Sequence, residues 1–243
     1  MSRFHLPAAA WAASLLEGDE ARHLAQVLRI RPGETITVFD GEGRQAPATV
    51  GQVARDRVEL AIGPAVATPA IHPAITLAQA IPKGKNMDLI VQKAVELGVA
   101  RIQPLVTRHT VVHPGDDKPA KWRRTALEAC KQCGQNLLPE IAQPADFATW
   151  LAATSPPATG GLRLIASLAP GARPLRAVLR EHPDPPAATL LIGPEGDFAP
   201  DETAAALAAG FLPVSLGGIV LRVETAALFV LSALRYEYPA APN

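Results

Sequence analysis

Leu190-Leu191-Ile192-Gly193-Pro194-Glu195-Gly196-Asp197-Phe198, followed by Leu216-Gly217-Gly218-Ile219-Val220-Leu221-Arg222-Val223-Glu224-Thr225-Ala226-Ala227, is the stretch that decides the fold. An apolar run that breaks into a Gly/Pro turn and then a helix reads as a buried parallel strand with its loop at the carboxyl end. In open α/β sheets, ligands bind at that edge. Gly193 and Gly196 lack a Cβ, so the backbone there can approach a ligand closely or take a positive φ. The loop from Leu216 to Glu224 repeats the device: strand, glycines, polar residues, helix. Two such loops on neighbouring strands would form one pocket made largely of backbone. The plainer reading is two ordinary strand-to-helix turns.

The residues themselves favour the pocket. Leu191-Ile192-Gly193-Pro194-Glu195-Gly196, then Leu216-Gly217 and Leu221-Arg222-x-Glu224-Thr225-Ala226, resembles the knotted SPOUT class of RNA methyltransferases. Within that class it is most similar to the ribosomal small subunit methyltransferase E family, which methylates N3 of a uridine in 16S rRNA. Lys83-Gly84-x-x-Met87 with Gln92-Lys93-Ala94-x-Glu96-Leu97-Gly98 resembles a second family signature. Glu128-Ala129-Cys130-x-Gln132-Cys133-Gly134 resembles a third, and His23-Leu24-x-x-Val27-Leu28-Arg29 with Gly33 the opening helix. The four motifs stand in family order over nearly the whole chain.

Composition sets outer bounds. The chain has 243 residues, enough for two modest domains with real cores. Formal net charge is zero, so any nucleic-acid binding has to come from local clustering. Between Lys83 and Lys131, ten Lys/Arg face Asp88, Glu96, Asp116, Asp117 and Glu128, a bias that a solvated face would also show. The only two cysteines, Cys130 and Cys133, form one C-x-x-C. A structural zinc site needs a second pair, and the residues before Cys130 read as helix, so packing is the expected role and no metal is expected. Nothing in the cysteine count opposes a reducing cytoplasm, where the chain is expected to act. No stretch approaches the roughly 20 apolar residues of a membrane span. The Ala-rich Pro7–Leu16 run imitates a signal core, but only Arg3 precedes it, Pro7 interrupts it and no small-x-small site follows.

Along the chain, Asp19 is a candidate N-cap, with Leu24, Val27 and Leu28 on one helical face and a stop at Arg31-Pro32-Gly33. Short strands follow at 35–39, 48–53 and 57–62, with Asp40-Gly41 as a hairpin turn. This unit, residues 1–70, fits a compact β-barrel, the PUA-like RNA-binding domain that the resemblance implies. Residues 63–73 read as a Pro/Ala linker. From 74 to 243, strands and helices alternate, which predicts an α/β domain with a mainly parallel sheet. Strands are expected at 75–81, 101–106, 162–168, 190–192 and 212–216. Helices are expected at 87–97, 118–132, 145–152, 174–181, 200–209 and 224–236, with a Ser/Pro/Gly loop at 154–161. On the helix at 118–132, Trp122, Ala126, Ala129 and Cys133 share a face. The trefoil knot enters only through the resemblance.

The resemblance implies S-adenosylmethionine as cofactor, bent into the knot and held by Leu168, Ile192, Gly193, Gly196, Leu216, Gly217, Leu221, Arg222 and Ala226. Competing nucleotide motifs are absent: there is no G-x-G-x-x-G after a strand and no P-loop. Methyl transfer to a ring nitrogen needs the donor and acceptor aligned and the N3 proton removed. Positive charge near the uracil oxygens favours the anion, and Arg222 is the candidate for that role. Glu224 and Glu195 either orient Arg222, accept the proton, or only cap the helix and turn in which they stand. His23, Arg29, Lys83, Lys85 and Arg108 are the candidate RNA contacts. The expected partners are 16S rRNA in the small ribosomal subunit and a second copy of the chain, as a homodimer. Gly218-Ile219 stands where the family usually has Pro-Arg, Val223 where Thr is common, and Asp197 where Gly is common. Methylation of another RNA atom, such as a ribose 2′-oxygen, and a catalytically silent RNA-binding protein of the same fold remain alternatives.

Overall fold

The computed structural model describes residues 2–112, 115, 117–154 and 161–239. Most of the Ser/Pro/Gly loop expected at 154–161 lies outside them. The chain divides into two compact units: residues 1–70 with 127–138, and residues 71–126 with 139–243.

The first unit holds strands β1 (Arg3–His5), β2 (Leu15–Glu17), β3 (Thr35–Phe39), β4 (Arg44–Val53), β5 (Arg57–Ile62) and β6 (Val66–Ala67), with short helices α1 (Ala8–Trp11) and α2 (Gly18–Arg22). The ladder runs β1-β3-β4-β5-β2, and β6 joins β4. The region read as a linker therefore contributes a strand. Alternation along β3, β4 and β5 sends Ile36, Val38, Ala46, Ala48, Val50, Val58 and Leu60 inward, where Phe4, Leu16, Ala21 and Leu24 complete one core. The β3–β4 hairpin is held by Asp40. Its buried carboxylate accepts from the Glu42 and Arg44 amides at 2.8 and 2.9 Å and from Arg44 Nε at 2.7 Å.

The single apolar helical face expected over residues 24–28 does not form. After α2 the chain makes a π-turn, His23–Val27, closed by a bond from the Leu28 N–H to the His23 carbonyl. The wider turn rotates the following residues away from the core. Leu24 stays buried, while Val27 is 68% and Leu28 44% exposed. Arg29 ends the turn at φ 51°.

In the second unit, β7 (Ala74–Ala80), β8 (Arg101–Val106), β9 (Glu140–Ile141), β10 (Ala145–Asp146), β11 (Leu162–Ala166), β12 (Arg173–Pro174), β13 (Ala187–Ile192) and β14 (Leu212–Ser215) form one sheet. Their order is β10-β8-β7-β13-β11-β14-β12, with β9 beside β8, and every ladder is parallel. Its helices are α3 (Asn86–Glu96), α5 (Phe147–Ala153), α6 (Leu175–Glu181), α7 (Pro200–Ala208) and α8 (Val223–Glu237); α4 (Asp117–Cys133) begins in this unit and ends among the residues of the first. On one face of the sheet, Ala78, Leu105, Ile165 and Leu191 pack with Phe147 of α5, Ala206 of α7, and Phe198 and Phe211. Near-continuous apolar strands, buried on both faces, are what a parallel sheet requires.

Two expectations change. The glycine loops follow β13 and β14, which are not neighbours, because β11 lies between them. On α4, Cys130 is buried and Cys133 exposed, so the apolar face closes on Cys130 instead of Cys133. Both thiols are free, and burial pushes that of Cys130 up to about 12, with the neighbouring Cys133 adding to the effect. A thiol held protonated in this way is a packing group, not a nucleophile. Among the described residues no helix is long and apolar enough to cross a membrane.

Candidate active site

A cleft of about 440 Å³ opens at the carboxyl edge of the sheet. Three strand ends build it. At and after the end of β11 come Ala166, Ser167 and Leu168; after β13 come Gly193, Pro194, Glu195 and Asp197; after β14 come Leu216, Gly217, Ile219, Val220, Leu221 and Arg222. Ile192 forms part of the floor, and the first turn of α8 supplies Val223, Glu224 and Ala226. The walls are mostly aliphatic. Leu168, Ile219 and Val220 are 65, 79 and 73% exposed, an unusual density of bare apolar side chains around one opening. Gly217 has φ +123°, a value that β-carbon-bearing residues avoid, so the third loop can turn here only on glycine.

Polar contacts between distant segments hold the loops. The Lys83 N–H donates to Glu195 Oε1 at 2.9 Å, which ties the turn before α3 to the β13 loop. The turn Thr107–Thr110 after β8 grips the far side of that loop: His109 Nδ1 lies 2.9 Å from both the Gly196 and Asp197 carbonyls. Arg108 makes a bidentate pair with Asp201 at 2.7 and 2.5 Å, and its N–H donates to Glu202. Glu202 also accepts from the Ala199 N–H, capping α7. The Arg108 hydrogen bond holds the Asp201 carboxyl below its ordinary range. Asp197 sits at φ 58° and its Oδ1 accepts from the Phe198 N–H. At the other wall, Asn86 Nδ2 donates to Glu224 Oε2 at 3.2 Å.

The chain matches the model of an RNA methyltransferase domain over residues 70–235 and that of an RNA methyltransferase PUA domain over residues 16–63. It is 32% identical to the ribosomal RNA small subunit methyltransferase E of Synechocystis, over 92% of this chain and 73% of that one. It is 33% identical to the protein of the same name from Mycobacterium bovis, over 92 and 86%. The chain belongs to the ribosomal RNA small subunit methyltransferase E family. A family structure from Neisseria gonorrhoeae, bound to S-adenosyl methionine, superposes with a TM-score of 0.87 at 32% identity, covering 98% of both chains.

In this methyltransferase E chain, Leu168, Ile192, Gly193, Leu216, Gly217, Leu221, Arg222 and Ala226 all line the cleft, as do Glu195 and Glu224. Gly196 does not. Its Cα faces His109, where an added Cβ would stand 3.2 Å from the His109 Cβ. Lys83 and Lys85 are exposed on the turn leading into α3. Arg108 already carries a carboxylate partner, so a phosphate there would compete with Asp201. His23 and Arg29 lie in the first unit, His23 tilted against the Phe4 ring and Arg29 exposed. Sequence reading missed Ser167, Asn86 and His109. Nothing local marks Asn86 or His109, because their partners lie 138 and 87–88 residues away.

Proposed function

We propose that this protein uses S-adenosylmethionine to methylate N3 of a uridine in 16S rRNA of the small ribosomal subunit, acting as a cytoplasmic homodimer. The observation that carries the reading is the cleft itself: an aliphatic chamber at the sheet's carboxyl edge with Arg222 and Glu224 at one wall. Its chemistry suits the cofactor. Leu168, Ile192, Leu216 and Leu221 offer an apolar seat for a purine, and the loops around Gly193 and Gly217 bring backbone groups to it. Bound there, S-adenosylmethionine supplies an electrophilic methyl group on a sulfonium. The protein's own residues do the rest. Arg222 is the N-cap of α8 and its side chain is exposed. Its charge, with the helix N-terminus behind it, favours negative charge developing on uracil oxygens.

The trefoil path is part of this reading, supported by the return of β13 to a place between β7 and β11. Dimerisation is supported by exposed Leu89 on α3 and by Phe229 and Tyr236 on α8. Phosphate contacts are assigned to Lys83, Lys85, His23 and Arg29, with Arg108 after exchange from Asp201. Incubating the protein with methyl-labelled cofactor and small subunits that lack the modification, then mapping the nucleotide by mass, tests the reading. N3-methyluridine is the expected product; label on a ribose oxygen, or none, overturns it. Sedimentation at micromolar concentration tests the dimer.

A further inference from the structure

We propose that Glu224 is the acceptor of the substrate's N3 proton and that Asn86 is the residue that positions it, an inference that rests on the uridine-N3 reading above. Three carboxylates line the cleft, and two are committed to backbone. Glu195 receives the Lys83 N–H and Asp197 receives the Phe198 N–H. Glu224 is held instead by the neutral Asn86 side chain, through Oε2 alone. Among the described residues no cation pairs with it. A single neutral donor fixes the carboxylate's direction through Oε2 and leaves Oε1 open.

The placement is tertiary. Asn86 is the first residue of α3 and Glu224 the second of α8. The other charges that line the cleft are Arg222, Glu195 and Asp197; Lys83 and Lys85 stand just before α3, and Asp88 in its first turn is paired with Lys121. A carboxylate in the same cleft as Arg222 opposes an anion on uracil unless it takes the proton away, which gives Glu224 a reason to be there. In the step, the N3–H bond breaks and its proton passes to Glu224 Oε1. The pair left on N3 forms the N–CH3 bond, and the methyl–sulfur bond breaks with its electrons staying on sulfur. General-base assistance of this kind contributes about 10²- to 10⁴-fold.

The test uses the full chain and unmodified small subunits, with single-turnover rates measured against pH at saturating cofactor. A parallel ¹³C-NMR titration of labelled glutamate carboxyls in the free protein reads Glu224 without any turnover. Glu224→Gln is expected to lose about 100-fold or more in rate while cofactor affinity stays within about threefold. Asn86→Asp sets a like charge against Glu224. It should move both the acid limb of the rate profile and the NMR titration upward by about one pH unit or more. Asn86→Ala should lower the rate about tenfold, with partial rescue by Asn86→Gln, which keeps an amide donor. If wild-type protein forms N3-methyluridine but Glu224→Gln reacts at the wild-type rate, the pair is overturned and the uridine reading stands. The pair is overturned in the same way if Asn86→Asp moves the NMR titration and leaves the rate profile in place. If wild-type protein forms no N3-methyluridine, the reading falls and the pair's role falls with it.

Discussion

Replacing His109 by alanine isolates one support of the cleft's main loop. Nδ1 faces two carbonyls, those of Gly196 and Asp197, each at 2.9 Å, so that nitrogen carries the hydrogen and donates to the pair. A neutral hydrogen bond contributes about 0.5–1.5 kcal/mol net. The His109 side chain is exposed, and water can replace part of what the ring gives, which favours the lower half of that range. If the whole loss appears as reduced order in the β13 loop, that lower half corresponds to a fall in cofactor affinity of about 2- to 5-fold, at 1.4 kcal/mol per factor of ten. The loop does not collapse, because Glu195 still receives the Lys83 N–H and Arg108 still pairs with Asp201. Calorimetric titration with S-adenosylmethionine measures the change, and His109→Asn, which keeps an N–H donor, should recover part of it. Unaltered affinity in a folded His109→Ala protein refutes the idea that this clamp serves the cofactor loop. A loss beyond 100-fold refutes the hydrogen-bond explanation, since one shared hydrogen bond cannot supply it.

Arg222→Ala should lower the single-turnover methylation rate far more than cofactor affinity, with poor rescue by lysine, which lacks the planar fork; the reverse pattern would make Arg222 a cofactor clamp. Gly196→Val should weaken cofactor binding at least tenfold without unfolding the protein, because its branches meet His109 and displace the loop; titration of the folded variant decides it. Asp40→Asn should destabilise the first unit by about 1–3 kcal/mol at pH 7, read by denaturant unfolding. Burial alone would raise the Asp40 carboxyl, but the bonds from Arg44 and the Glu42 amide hold it below the ordinary range. A depressed carboxyl contributes stability above its unfolded value, about pH 3.9, and loses it as pH falls through the folded one. The gap between wild-type and Asp40→Asn protein should therefore shrink at pH 3, and a constant gap would assign it to packing.

Local pattern carried far in this chain. Apolar runs and Gly/Pro breaks placed the main strands and helices of the α/β unit near their observed ends, because backbone preferences there agree with burial. Gly98, at φ 73° after α3, stops that helix. The two glycine loops were legible for the same reason. Three things were not. The π-turn at His23–Val27 follows from packing of the first unit, and an extra residue in one turn leaves no mark in hydrophobic spacing. The placement of β11 between β13 and β14 is a choice of strand order, and β7, β8, β11 and β13 are all apolar enough to be central. The pairing of Asn86 with Glu224, and of His109 with the Gly196 loop, depends on that order, since only the folded sheet brings residues 87 to 138 positions apart to one edge. Sequence by itself determined which segments end in a loop fit for a ligand; tertiary structure decided which side chains hold those loops and which carboxylate is left open to the cleft.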